Sequence, residues 1–101
     1  MKVIMYGTHL CKDTLYAIYK LEDKGADLEF RNISASLTEM KAFLKIRDES
    51  PLFDGPKKKG TIGVPYFEME NGIKTLDLQK VLEQIQQENE NSCISRPNVV
   101  Y

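Results

Sequence analysis

The chain has 101 residues, 42% of them hydrophobic and 29% charged, with a net charge of −1. That describes one domain of ordinary globular composition, long enough to bury a modest core. A pI near 5.8 gives no electrostatic case for nucleic acid. The first apolar run is too short for a signal peptide, and nothing approaches the ~18 apolar residues of a membrane span. Two cysteines are too few for a secreted disulfide framework, so the reducing cytoplasm is the expected location.

Residues 2–6 contain Val3-Ile4-Met5-Tyr6, an apolar run that reads as a strand buried on both faces. The loop Gly7-Thr8-His9-Leu10 leads to Cys11, which opens a helix over 11–23 with apolar residues at Leu15, Ile18 and Leu21. Gly25 closes that helix as a left-handed cap. Residues 27–33 alternate, with Leu28 and Phe30 on one face and Glu29 and Arg31 on the other, as a half-buried strand does. Strand, helix and strand form a βαβ unit with parallel strands.

Ser36-Leu37-Thr38-Glu39 is a capping box, starting a helix at Leu37 whose apolar stripe is Leu37, Met40 and Leu44. Ser50-Pro51 ends it. Residues 51–63, with two prolines, three glycines and Lys57-Lys58-Lys59, read as a surface loop. Two strands, 65–70 and 73–76, flank Asn71-Gly72, a signal for a tight hairpin. Leu78, Val81, Leu82 and Ile85 give an amphipathic last helix, and residues 88–101 read as a polar C-terminal tail after a domain spanning 1–87. The order βαβ-α-ββ-α predicts an α/β fold with a four-stranded mixed sheet flanked by three helices.

Cys11 carries the chemistry. A cysteine at a helix start meets unpaired backbone N–H groups and the positive end of the helix dipole, which favour thiolate over thiol. The competing reading is a cysteine packed as a small hydrophobe. The run from Met5 through Thr14, together with Gly63-Val64-Pro65-Tyr66-Phe67, resembles the glutaredoxin branch of the thioredoxin superfamily. The likeness extends over residues 1 to about 87, and it implies the thioredoxin-like (glutaredoxin) fold. It further implies a cis bond before Pro65, Pro65 beside the nucleophilic sulfur, and Val64 offering its backbone to an extended substrate.

The implied activity is monothiol thiol–disulfide exchange. Cys11 attacks a mixed disulfide and takes over the small-thiol half, and glutathione or another low-molecular-weight thiol then releases it. No tightly bound cofactor is implied, and the implied partners are a small thiol and protein mixed disulfides. The alternative is a non-catalytic binding module using the Val64-Pro65 groove.

The departures from the family pattern are specific. Cys11-Lys12-Asp13-Thr14 replaces Cys-x-x-Cys, so Thr14 offers no second sulfur. Its hydroxyl either donates to the thiolate or bonds a backbone carbonyl on the helix surface. The same four residues lack the Cys-Gly-Phe-Ser of the family's iron–sulfur carriers, and no paired metal-ligand motif is present. Lys12 adds a charge favouring thiolate, opposed by Asp13, or is simply solvated. Thr8 stands where glutathione-binding members carry a lysine. Thr75-Leu76-Asp77-Leu78 keeps the acidic residue that receives the glutathione amino group, without the usual Gly-Gly pair; Asp77 otherwise serves as a helix-start carboxylate. The three lysines at 57–59 either draw a carboxylate-rich ligand or are solvated, His9 is a base or an ordinary loop histidine, and Cys93 is a resolving thiol or incidental.

Overall fold

The computed structural model describes the backbone of residues 1–94 and the side chains of residues 1–89. Four strands and four α-helices follow in the order β1 (Lys2–Gly7), α1 (Lys12–Asp23), β2 (Asp27–Asn32), α2 (Leu37–Glu49), a 3-10 turn (Pro51–Phe53), α3 (Asp54–Lys59), β3 (Tyr66–Met69), β4 (Lys74–Thr75) and α4 (Leu78–Ile94). The sheet order is β2-β1-β3-β4. β1 and β2 run parallel from Lys2↔Asp27 to Gly7↔Asn32, and β3 lies antiparallel to both β1 and β4. This is a mixed α/β architecture. Among the described residues no helix is long and apolar enough to cross a membrane.

Strand alternation sorts side chains into two cores. Val3, Met5, Phe67 and Met69 face α1 and α4, meeting Ala17, Leu21, Val81 and Ile85, while Leu28 and Phe30 pack against the edge of that cluster. Tyr6 and Tyr66 point the other way, toward Phe43 of α2 and Phe53 of the 3-10 turn. Tilted and edge-on ring pairs with centroids 5.2–6.2 Å apart link these four aromatics.

Local signals act as their chemistry dictates. Ser36 caps α2 by accepting from the Glu39 N–H at 3.2 Å. The Glu39 carboxylate does not complete the box but pairs with Arg31 at 3.7 Å. Gly25, at φ +72°, follows the end of α1 and donates to the Glu22 carbonyl. At Asn71-Gly72 the Gly72 N–H closes the turn on the Met69 carbonyl, and the Asn71 side chain accepts from the Ile73 N–H.

Three expectations fail. The first concerns residues 51–59, which are helical rather than loop and add a helix to the three expected. Pro51 suits a helix start, and Gly60 at φ +72° ends α3 after the lysines. The second is the stripe Leu37, Met40, Leu44, which faces outward, with Leu37 71% exposed; Phe43 is the fully buried residue of α2 and Ile46 packs beside it. In α1, likewise, Leu15 is exposed while Thr14, Ala17 and Leu21 are buried. Lastly, α4 runs through Ile94, past the expected boundary at residue 87. Residues 95–101 lie outside the described part.

Candidate functional site

The parallel strands β1 and β2 both end where α1 begins, and the chain returns to that end through residues 60–65. Chain reversals there leave a crevice at the carboxyl ends of the strands. A cavity of about 770 Å³ occupies it, and Thr8, Cys11, Ile33, Ser34, Val64 and Pro65 are among its lining residues.

Cys11 is the N-cap of α1 rather than part of its first turn, with extended backbone at φ −102°, ψ 122° and no side-chain capping bond. Its N–H donates to the Thr8 carbonyl at 3.0 Å, and its carbonyl accepts from the Leu15 N–H at 3.2 Å. The side chain is half-buried and opens to the cavity. The first-turn N–H groups of α1, which lack intrahelical acceptors, lie at this position. The Val64–Pro65 peptide bond is cis, as the resemblance implies, and both residues line the same cavity as Cys11.

Thr8 is the hub of the loop between β1 and α1. Its hydroxyl lies 2.6 Å from the Ser34 hydroxyl and accepts from the Leu10 N–H at 3.3 Å, while its N–H donates to the Thr14 hydroxyl at 3.5 Å. A side chain so engaged is a spacer holding the loop against the end of β2. It leaves no cation at that position.

Thr14 is fully buried, with its side chain against Gly7. The surface-threonine reading is therefore wrong, and its hydroxyl oxygen accepts from the Thr8 N–H. Lys12 points to solvent outside the cavity, whereas Asp13 lines it. Asp77 lies outside the cavity as well. It caps α4, its carboxylate accepting from the Gln79 N–H at 3.0 Å. Its own N–H donates to Thr75 at 3.0 Å.

His9 stacks on Phe30 at 5.0 Å and does not face the cavity. Lys57 donates to the Asp48 carbonyl at 3.2 Å, near the carboxyl end of α2, and the three lysines form the last turn of α3, outside the cavity lining. The side chain of Cys93 lies outside the described residues. Among the described residues no three of His, Cys, Asp and Glu gather in a group suited to a metal ion.

Several residues of the site escape sequence reasoning. Ser34 reaches Thr8 from the far end of β2, and only strand pairing reveals that proximity. Arg47 of α2 donates through Nε to the Ile62 carbonyl at 2.9 Å and through Nη2 to the Thr61 carbonyl at 2.8 Å. That fork fixes the segment leading to Val64. Leu10, Met40 and Ile62 give the cavity an exposed apolar rim.

Over 80 residues, 79% of its length, the chain is 35% identical to an uncharacterized protein of Haemophilus influenzae, covering 93% of that relative. The two proteins are one family. The likeness covers almost the whole length of the relative, whose printed name assigns no activity. No family model matches the chain, and no solved structure matches it.

Proposed function

We propose that this protein is a monothiol, glutaredoxin-like thiol–disulfide exchange protein of the reducing cytoplasm, built on a thioredoxin-like fold. The observation carrying the proposal is the half-buried thiol of Cys11 at the start of α1, opening into a cavity that Val64 and Pro65 also line. Such a position combines access for a disulfide with N–H groups aimed at a developing thiolate.

The Cys11 thiolate attacks the small-thiol sulfur of a mixed disulfide. A new S–S bond forms at Cys11 as the old one breaks, and the partner's cysteine leaves as thiolate and takes up a proton. A second small thiol, glutathione or another of its class, then attacks the small-thiol sulfur and returns Cys11. The partner's disulfide is reduced and two small thiols become one small disulfide, so electrons balance. Thr14 supplies no sulfur to this cycle.

The test is turnover of a glutathionylated substrate by Cys11→Ser and Cys93→Ser variants. Cys11→Ser abolishes turnover and Cys93→Ser leaves it nearly unchanged. Loss on Cys93→Ser, with an 11–93 disulfide accumulating in oxidised wild type, makes the C-terminal cysteine a resolving thiol. Turnover unaffected by Cys11→Ser leaves the cavity as a binding groove.

A further inference from the structure

We infer that the groove beside Cys11 docks the protein half of the mixed disulfide through apolar residues flanking its cysteine, and disfavours acidic flanks. This inference rests on the exchange reading above and names the substrate class for it. Two independent features carry it.

The first is an apolar rim that stays exposed. Leu10, immediately before Cys11, is 89% exposed, and Ile62, which lines the same cavity, is 54% exposed. A single exposed leucine is ordinary, but several exposed apolar side chains around one cavity make a patch of the kind that marks a contact surface. Met40 also lines the cavity, and Leu37 and Leu44, at i−3 and i+4 from it, continue the apolar surface along α2. The apolar surface therefore continues from the cavity onto α2, which suits a polypeptide segment better than a small thiol alone.

The second is charge. Asp13 is the one charged side chain among the described residues lining the cavity, and Lys12 points elsewhere. No Lys, Arg or His among the described residues lines it. With Thr8 internally bonded and Asp77 capping α4, no cationic side chain there pairs with a carboxylate. A segment with acidic flanks meets Asp13 without compensation, whereas an apolar one buries area against Leu10 and Ile62.

The experiment uses the full chain with Cys93→Ser and blocked pentapeptides, each joined through its single cysteine to 2-mercaptoethanol as a mixed disulfide. One has Leu-Cys-Val at its centre, and the other has Glu-Cys-Glu. Release of peptide thiol is followed by quenching and chromatography at low salt, with N-acetylcysteine amide as the free-thiol reference. The expected result is an apolar-to-acidic rate ratio at least tenfold above that of the reference. Ile62→Ser or Leu10→Ser lowers the ratio at least threefold, and Asp13→Asn raises the rate on the acidic peptide alone. A ratio within twofold of the reference, or a preference that survives both serine variants, overturns the inference while leaving exchange intact. No release from either peptide removes the exchange reading and the inference with it.

Discussion

At Gly7 the space available to a side chain is already taken. A Cβ there would sit 2.7 Å from Thr14 Cγ2 and 2.8 Å from Thr14 Oγ1, and Thr14 is fully buried with no room to swing away. Gly7→Ala is expected to cost about 1–3 kcal/mol, as overpacking does. Gly63 is constrained twice, by a backbone at φ +93° and by the Phe53 ring 2.7 Å from its Cβ direction. Phe53 is itself wedged between Phe43 and Tyr66, so Gly63→Ala combines strain with a clash and is expected to cost more than about 2 kcal/mol. Gly55 is the contrast, being helical with nothing within 4 Å of its Cβ direction. Gly55→Ala is expected to stabilise by about 0.5–1 kcal/mol. Urea unfolding of the three variants checks the order. A Gly63→Ala protein as stable as wild type would mean that the wall of the groove is looser than this packing requires.

The elements that shape the groove are held by contacts between α2 and the segment before β3, and Arg47 is the chief of them. It bonds two successive carbonyls, at Thr61 and Ile62, on exposed backbone that water would otherwise solvate. Arg47→Ala is therefore expected to cost only about 1 kcal/mol globally. Its sharper effect is faster hydrogen exchange in residues 61–64, partly restored by Arg47→Lys, which keeps one donor but not the fork. Unchanged exchange there would remove Arg47 as a positioning residue. Such contacts explain what the sequence could and could not disclose. Cys11, Val64-Pro65, the Ser36 cap and the Asn71-Gly72 turn are local signals whose meaning depends on a few neighbours. Ser34 and Arg47 act across 26 and 14 or 15 positions, and only the assembled sheet brings them to the site. In α2 the regular stripe Leu37, Met40, Leu44 gives the wrong face, because one Phe43 aimed at Tyr6 and Phe53 outweighs three aliphatics left outside. At 51–59, prolines and glycines that suggest a loop instead start and stop short helices.

The whole molecule carries its cores asymmetrically across the sheet, mostly aliphatic around Phe67 beneath α1 and α4, aromatic with two buried phenols beneath α2. Tyr66 is 1% exposed and its hydroxyl donates to Glu68 Oε2 at 3.2 Å. Burial first, then the Glu68 charge and hydrogen bond, push its phenol above the ordinary value. Burial and Glu68 push Tyr6 the same way, opposed by Arg31. Below pH ~10 both phenols are protonated whether the chain is folded or not, and their contribution is fully present. As pH rises through that value the unfolded chain releases these protons first, while the folded chain retains them. The unfolded state then binds fewer protons, so stability falls with pH until the folded phenols also ionise. Urea midpoints at pH 8, 9.5 and 11 are expected to hold and then drop. Tyr66→Phe is expected to lose about 1 kcal/mol at pH 8 with its hydrogen bond, and to show a shallower drop by pH 11. Equal slopes in wild type and Tyr66→Phe would show that the aromatic core admits enough water to ionise Tyr66 in place.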